Sequence, residues 1–81
     1  MPNKIKPEYK PETEEQILGY LIEECGEVIH ACGKTVRWGM DNFNPELPED
    51  KQEQNWQWIC RELKDLKRSI RLFEEFLKDN Y

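Results

Sequence analysis

The sequence predicts an all-α fold, a long helical hairpin that pairs with another protomer into a four-helix bundle. Three observations carry this prediction. Apolar residues recur at intervals of three and four along two long stretches, the period of a helix with one buried side. Each stretch opens on a capping signal. No run of alternating apolar and polar residues, internal repeat or low-complexity tract suggests a different architecture.

The elements follow in chain order. Pro2, Pro7 and Pro11, interleaved with charged residues, make residues 1–12 an extended N-terminal arm, because each proline removes a backbone donor and restricts its predecessor. Thr13 followed three residues later by Gln16 is a capping box, so a helix is predicted over 13–38. Its stripe is Ile17, Leu18, Leu21, Ile22, Cys25, Val28, Ile29, Cys32 and Val36, and Gly39 is the expected stop. Residues 39–50 hold two prolines and several turn formers and are predicted as a loop, with a short turn at Asn44-Pro45. Asp50 with Glu53 predicts a second helix over 51–79, whose stripe is Trp56, Ile59, Cys60, Leu63, Leu66, Ile70, Phe73 and Leu77. Residues 13–81 then form a single helical domain.

Two helices of this length share one seam and leave wide apolar flanks. With 81 residues and 37% apolar content the chain has little core of its own. Pairing two hairpins would bury the flanks, which predicts a homo-oligomer, a dimer or tetramer, with no stable monomer. The net charge of -5 argues against a protein that coats nucleic acid through phosphate neutralisation, and no apolar run approaches a membrane span. Cys25, Cys32 and Cys60 lack CxxC spacing and fall on apolar helix stripes, so they are predicted as buried free thiols of a reducing cytosol. A cytoplasmic location is expected.

Carboxylates crowd this otherwise core-like pattern. At about 100° per residue, Glu24 lies at the edge of the first stripe and Glu27 about 60° beyond; Glu62 and Asp65 repeat the arrangement on the second. Antiparallel packing can bring the four together. Such a group at partial burial needs protons, basic partners or a metal, and hard divalent cations such as Mg²⁺ take oxygen ligands. The competing reading is that all four belong to solvated helix faces. Glu23 points further from the stripe than Glu24. His30 lies on the side away from the stripe and is read as exposed.

The ordered set Glu23-Glu24-Cys25-Gly26-Glu27, Lys34-Thr35-Val36-Arg37-Trp38-Gly39, loop, Glu62-Leu63-Lys64-Asp65 resembles the MazG-like all-α nucleoside triphosphate pyrophosphohydrolases, especially small phage-type members. The resemblance covers about residues 15–75. It implies hydrolysis of a nucleoside or deoxynucleoside triphosphate to the monophosphate and pyrophosphate, in the host cytoplasm if the protein is phage-encoded. It also implies Mg²⁺, with Mn²⁺ as a substitute, held by Glu24, Glu27, Glu62 and Asp65, and a water oriented by Glu23. Lys34 and Arg37 suit phosphate oxygens, Arg37 through its bidentate fork. Trp38, Phe43 and Trp56 are candidates either for stacking on the base or for packing.

The chain departs from the family pattern in three places. Lys64 stands where the family usually has Gly and is placed to reach a phosphate or to compete with the metal. Lys67, Arg68 and Arg71 make the following turns basic, and 34 residues separate Glu27 from Glu62. The rival from another class is a catalytically silent helical module that keeps the fold and oligomerises or binds a protein partner. A third reading, a nucleic-acid-binding hairpin using Arg61, Lys64, Lys67, Arg68 and Arg71, runs against the acidic balance.

Overall fold

The computed structural model describes residues 9–45 and 47–81, so most of the N-terminal arm lies outside the described residues. Two helices, α1 (Glu14–Trp38) and α2 (Asn55–Asn80), pack against each other as an antiparallel hairpin. No β-strand forms among the described residues; Phe43 and Gln54 make one isolated antiparallel bridge in the connection.

Helix α1 starts where its capping box directs. The Gln16 amide donates to Thr13 Oγ1 (3.1 Å), while Gln16 Oε1 accepts from the Thr13 amide (3.3 Å). Gly39 ends it at φ 92°, a conformation that L side chains rarely adopt, with its amide donating to the Thr35 carbonyl at 2.7 Å.

Helix α2 begins four residues later than the predicted position 51. A short 3-10 turn, Glu49–Lys51, precedes it. Gln54 supplies the cap, with Gln57 as its reciprocal partner, in place of the predicted Asp50 and Glu53. Glu53 is engaged by the Arg61 guanidinium.

The connection is tied across the top of the hairpin. The Asn55 amide donates to the Asn42 carbonyl (2.7 Å), the Trp56 amide to Met40 (3.1 Å), and Asn55 Nδ2 to the Gly39 carbonyl (2.8 Å). Asn55 is fully buried by these contacts. On the other side of the carboxylates, toward the open end, Arg68 donates to the Tyr20 hydroxyl (2.7 Å) and the Tyr9 carbonyl (2.6 Å), and the Tyr9 ring meets Tyr20 edge to face.

The seam is thin and polar. Among the described residues its buried apolar side chains are Ile17, Tyr20 and Ala31, beside Glu24, Thr35, Asn55, Glu62 and Ser69. The extents are 44 × 35 × 15 Å, and the radius of gyration is 15.3 Å against about 12 Å for a compact domain of this length. This is one layer of two helices.

The predicted single stripe of α1 therefore divides. Ile17, Leu21 and Val28 turn toward α2, whereas Leu18, Ile22, Ile29 and Val36 face outward; Ile22, Ile29 and Val36 are 72%, 71% and 88% exposed. Cys25 and Cys32 lie on the outward set, and Cys60 is outward on α2, so the three thiols are exposed and free rather than buried. The reason is geometric. At about 100° per residue these positions sit roughly a third of a turn from the seam, and a single hairpin has nothing to place there.

Candidate metal centre

The seam places Glu24 and Glu62 inside and Glu27 and Asp65 at its open edge. Relative exposures of 7% for Glu24 and 6% for Glu62 contrast with exposed Glu27 and Asp65. One carboxylate oxygen from each of the four lies within 4.8 Å of the others. The opposed i, i+3 pairs of the sequence do meet.

Electrostatics at this point are unfavourable without a counter-charge. Burial raises the pKa of Glu24, with Asp65, Glu62 and Glu23 adding to it and a hydrogen bond with Glu27 opposing. For Glu62, burial again comes first, then the hydrogen bond and the charge of Glu27; Arg61 works the other way. Glu24 Oε2 and Glu62 Oε2 are both buried and have no hydrogen-bond partner. Ser69 Oγ and Asn55 Oδ1 share that status, but a neutral hydroxyl or amide is far cheaper to leave unmet than a carboxylate. Two unmet buried carboxylate oxygens, with two exposed carboxylates beside them, fit a hard divalent cation that retains open positions.

A pocket of about 500 Å³ opens over this group, lined by Glu23, Gly26, Glu27 and His30 from α1 and by Trp58, Arg61, Glu62 and Asp65 from α2. Glu23 is thus at the pocket. Arg61 spans Glu53 and Glu62; its Nη1 donates to Glu62 Oε1 at 3.3 Å and leaves Oε2 to the centre. The hydrogen bond to Glu53 is the main cause of the raised pKa of the guanidinium.

The other predicted substrate-binding residues sit elsewhere. Lys34 Nζ and the Arg37 guanidinium lie over the Trp38 ring, 5.2 and 5.8 Å from its centroid, forming a cluster nearer the end of α1. Lys64 is exposed, and none of these four lines the pocket. Phe43 and Trp56 are exposed outside it as well.

Sequence reasoning passed over Trp58, Arg61 and His30 at this position. His30 was read as exposed, and it is; its ring nevertheless meets Trp58 edge to face at 5.6 Å on the pocket wall. Spacing held a usable signal. Trp58 is one turn before Glu62 and His30 close to one turn after Glu27, so antiparallel pairing brings both to one end of the carboxylates.

Comparison with protein-family models, curated proteins and solved structures finds no match for this chain. The fold and site define an all-helical hairpin with an acidic cluster able to hold a metal, and no helix among the described residues is long and apolar enough to cross a membrane.

Proposed function

We propose that the protein is a MazG-like, Mg²⁺-dependent hydrolase that converts a nucleoside or deoxynucleoside triphosphate to the monophosphate and pyrophosphate, with Mn²⁺ able to replace Mg²⁺. One observation carries the reading: two carboxylates more than nine-tenths buried, each with an unmet oxygen, converge with two exposed ones beneath an open pocket. Glu24, Glu27, Glu62 and Asp65 hold the ion, and Arg61 fixes the orientation of Glu62. A divalent cation there supplies neutralisation of phosphate charge and activation of water at neutral pH. Glu23 orients the attacking water and takes up its proton; oxygen adds to the α-phosphorus, and the bond to the β-phosphate oxygen breaks. Lys34 and Arg37, stacked over Trp38 outside the pocket near the end of α1, are the groups this reading assigns to the outgoing pyrophosphate.

The active form in this reading is a homo-oligomer. Leu18, Ile22, Cys25, Ile29, Cys32 and Val36 alternate spacings of four and three, and Trp56, Leu63, Ile70 and Leu77 are each seven apart, which is the repeat of a helix–helix seam. The side chains exposed there amount to on the order of 800 Å² per protomer, what each partner brings to a standard interface. Pairing these faces makes a four-helix bundle. The same face favours the rival reading, a silent helical module that oligomerises or binds a protein partner.

Pyrophosphate release from a panel of nucleoside and deoxynucleoside triphosphates with Mg²⁺ separates the two. Release that EDTA abolishes and that the pair Glu24→Gln, Glu27→Gln removes is the expected result. No release from any nucleotide by folded, oligomeric protein leaves the silent module.

A further inference from the structure

Half of the pocket wall has no part in holding an ion. Gly26, His30, Trp58 and Arg61 line it beside the carboxylates. The Trp58 and His30 rings stand nearly perpendicular, at 77°, and brace each other; Trp58 is half-buried and keeps part of its ring surface accessible. Arg61 is one turn along α2 from Trp58. It is fixed by Glu53 on one side and Glu62 on the other, with its side chain still 56% exposed. At Gly26 an added Cβ would meet no atom within 4 Å, so the space over that residue is open.

A flat aromatic surface, a fixed guanidinium and a cluster of carboxylates, side by side in about 500 Å³, match the three parts of one class of ligand. The carboxylates take it through a cation, the guanidinium takes a phosphate, and the ring takes a planar heterocycle. We infer that Trp58, braced by His30, together with Arg61 forms the recognition subsite for the base and a phosphate of a nucleotide, and that Gly26 keeps room for it. This rests on the proposed nucleotide chemistry and deepens it. It makes Trp58 rather than Trp38, Phe43 or Trp56 the stacking residue, and Arg61 a phosphate contact beside Lys34 and Arg37.

The test compares two probes on the full chain with Mg²⁺ by calorimetry: a nucleoside triphosphate analogue with a non-hydrolysable α,β-imido link, and inorganic tripolyphosphate, which has no base. Trp58→Leu is expected to weaken the nucleotide about tenfold, toward the tripolyphosphate level, and to leave tripolyphosphate unchanged. Arg61→Gln weakens both probes. Gly26→Leu, whose Cβ meets no atom within 4 Å and which improves helix propensity, excludes the nucleotide while helicity and melting temperature hold. An unchanged ratio of the two affinities in both Trp58→Leu and Gly26→Leu overturns the subsite. Mn²⁺ binding, followed separately by electron paramagnetic resonance, distinguishes the failures: bound Mn²⁺ with an unchanged ratio removes only the subsite, whereas no Mn²⁺ and no nucleotide binding removes the metal reading and the subsite together.

Discussion

The two broad faces of the hairpin are built on the same helical period and are incomplete in opposite ways. Antiparallel helices turn the same rotational sense to the same side of the pair. Hence Leu18, Ile22, Ile29 and Val36 share one face with Trp56, Leu63, Ile70 and Leu77, while Glu27 and Asp65 share the other. The apolar face needs surface to cover it; the acidic face needs positive charge. A layer only 15 Å thick cannot provide either from within. What separates the faces is a seam whose own buried positions include Glu24 and Glu62.

The sharpest way to break the comparison is to charge the apolar face. Ile22→Glu with Ile29→Glu is expected to weaken self-association a hundredfold or more, because each places an unpaired charge in the proposed interface. Sedimentation equilibrium and concentration-dependent melting check it. A wild-type chain that melts at one temperature at all concentrations would sink the proposed pairing.

The second effect inverts the usual cost of mutation. Glu24→Gln with Glu62→Gln removes the buried like charges, so the metal-free protein should melt several degrees higher while Mn²⁺ affinity falls by two orders of magnitude or more. Calorimetry in EDTA and metal titration read the two changes separately. If the variant instead melts lower in EDTA, the buried carboxylates are not a source of strain.

A smaller effect is expected with pH. Glu24 and Glu62 have values raised above the ordinary 4.5, chiefly by burial, so the folded chain holds these protons more tightly than the unfolded one. The stability this gives is complete below about 4.5 and is lost as pH rises through the raised values. Metal-free protein should therefore melt higher at pH 5.5 than at pH 7.5, and saturating Mg²⁺ should reverse the order. Melting curves at the two pH values, with EDTA and with Mg²⁺, decide it. The smallest effect tests the frame itself: Thr13→Ala should cost about 1 kcal/mol, or roughly 4–8 °C, and leave the Mn²⁺ affinity of the carboxylates unchanged.

Local signals made the helices legible. Thr13 with Gln16 and the glycine at position 39 are short-range devices, and α1 starts and stops where they stand. The start of α2 was less legible because Glu53 serves a tertiary ion pair and Gln54, a residue with no strong capping preference, takes its place. Glu24, Glu27, Glu62 and Asp65 were visible because an i, i+3 pair on each helix fixes their placement once the helices pair. Trp58, His30 and Arg61 depend on the register between helices, which periodicity alone does not contain and which only the pairing of the opposed carboxylates supplies. Exposure of the cysteines was invisible for a related reason: a stripe states that a face is apolar without stating which chain covers it.

The hairpin is fastened on either side of the carboxylates. Asn55 binds the connection on one, and Arg68 ties Tyr20 and the Tyr9 carbonyl on the other. Between two such ties, α1 and α2 cannot splay to relieve the repulsion of the carboxylates midway along them. In the proposed metal reading the centre is preorganised: the conformational entropy of assembling the four carboxylates is lost when the chain folds, and an arriving ion would find them already within reach.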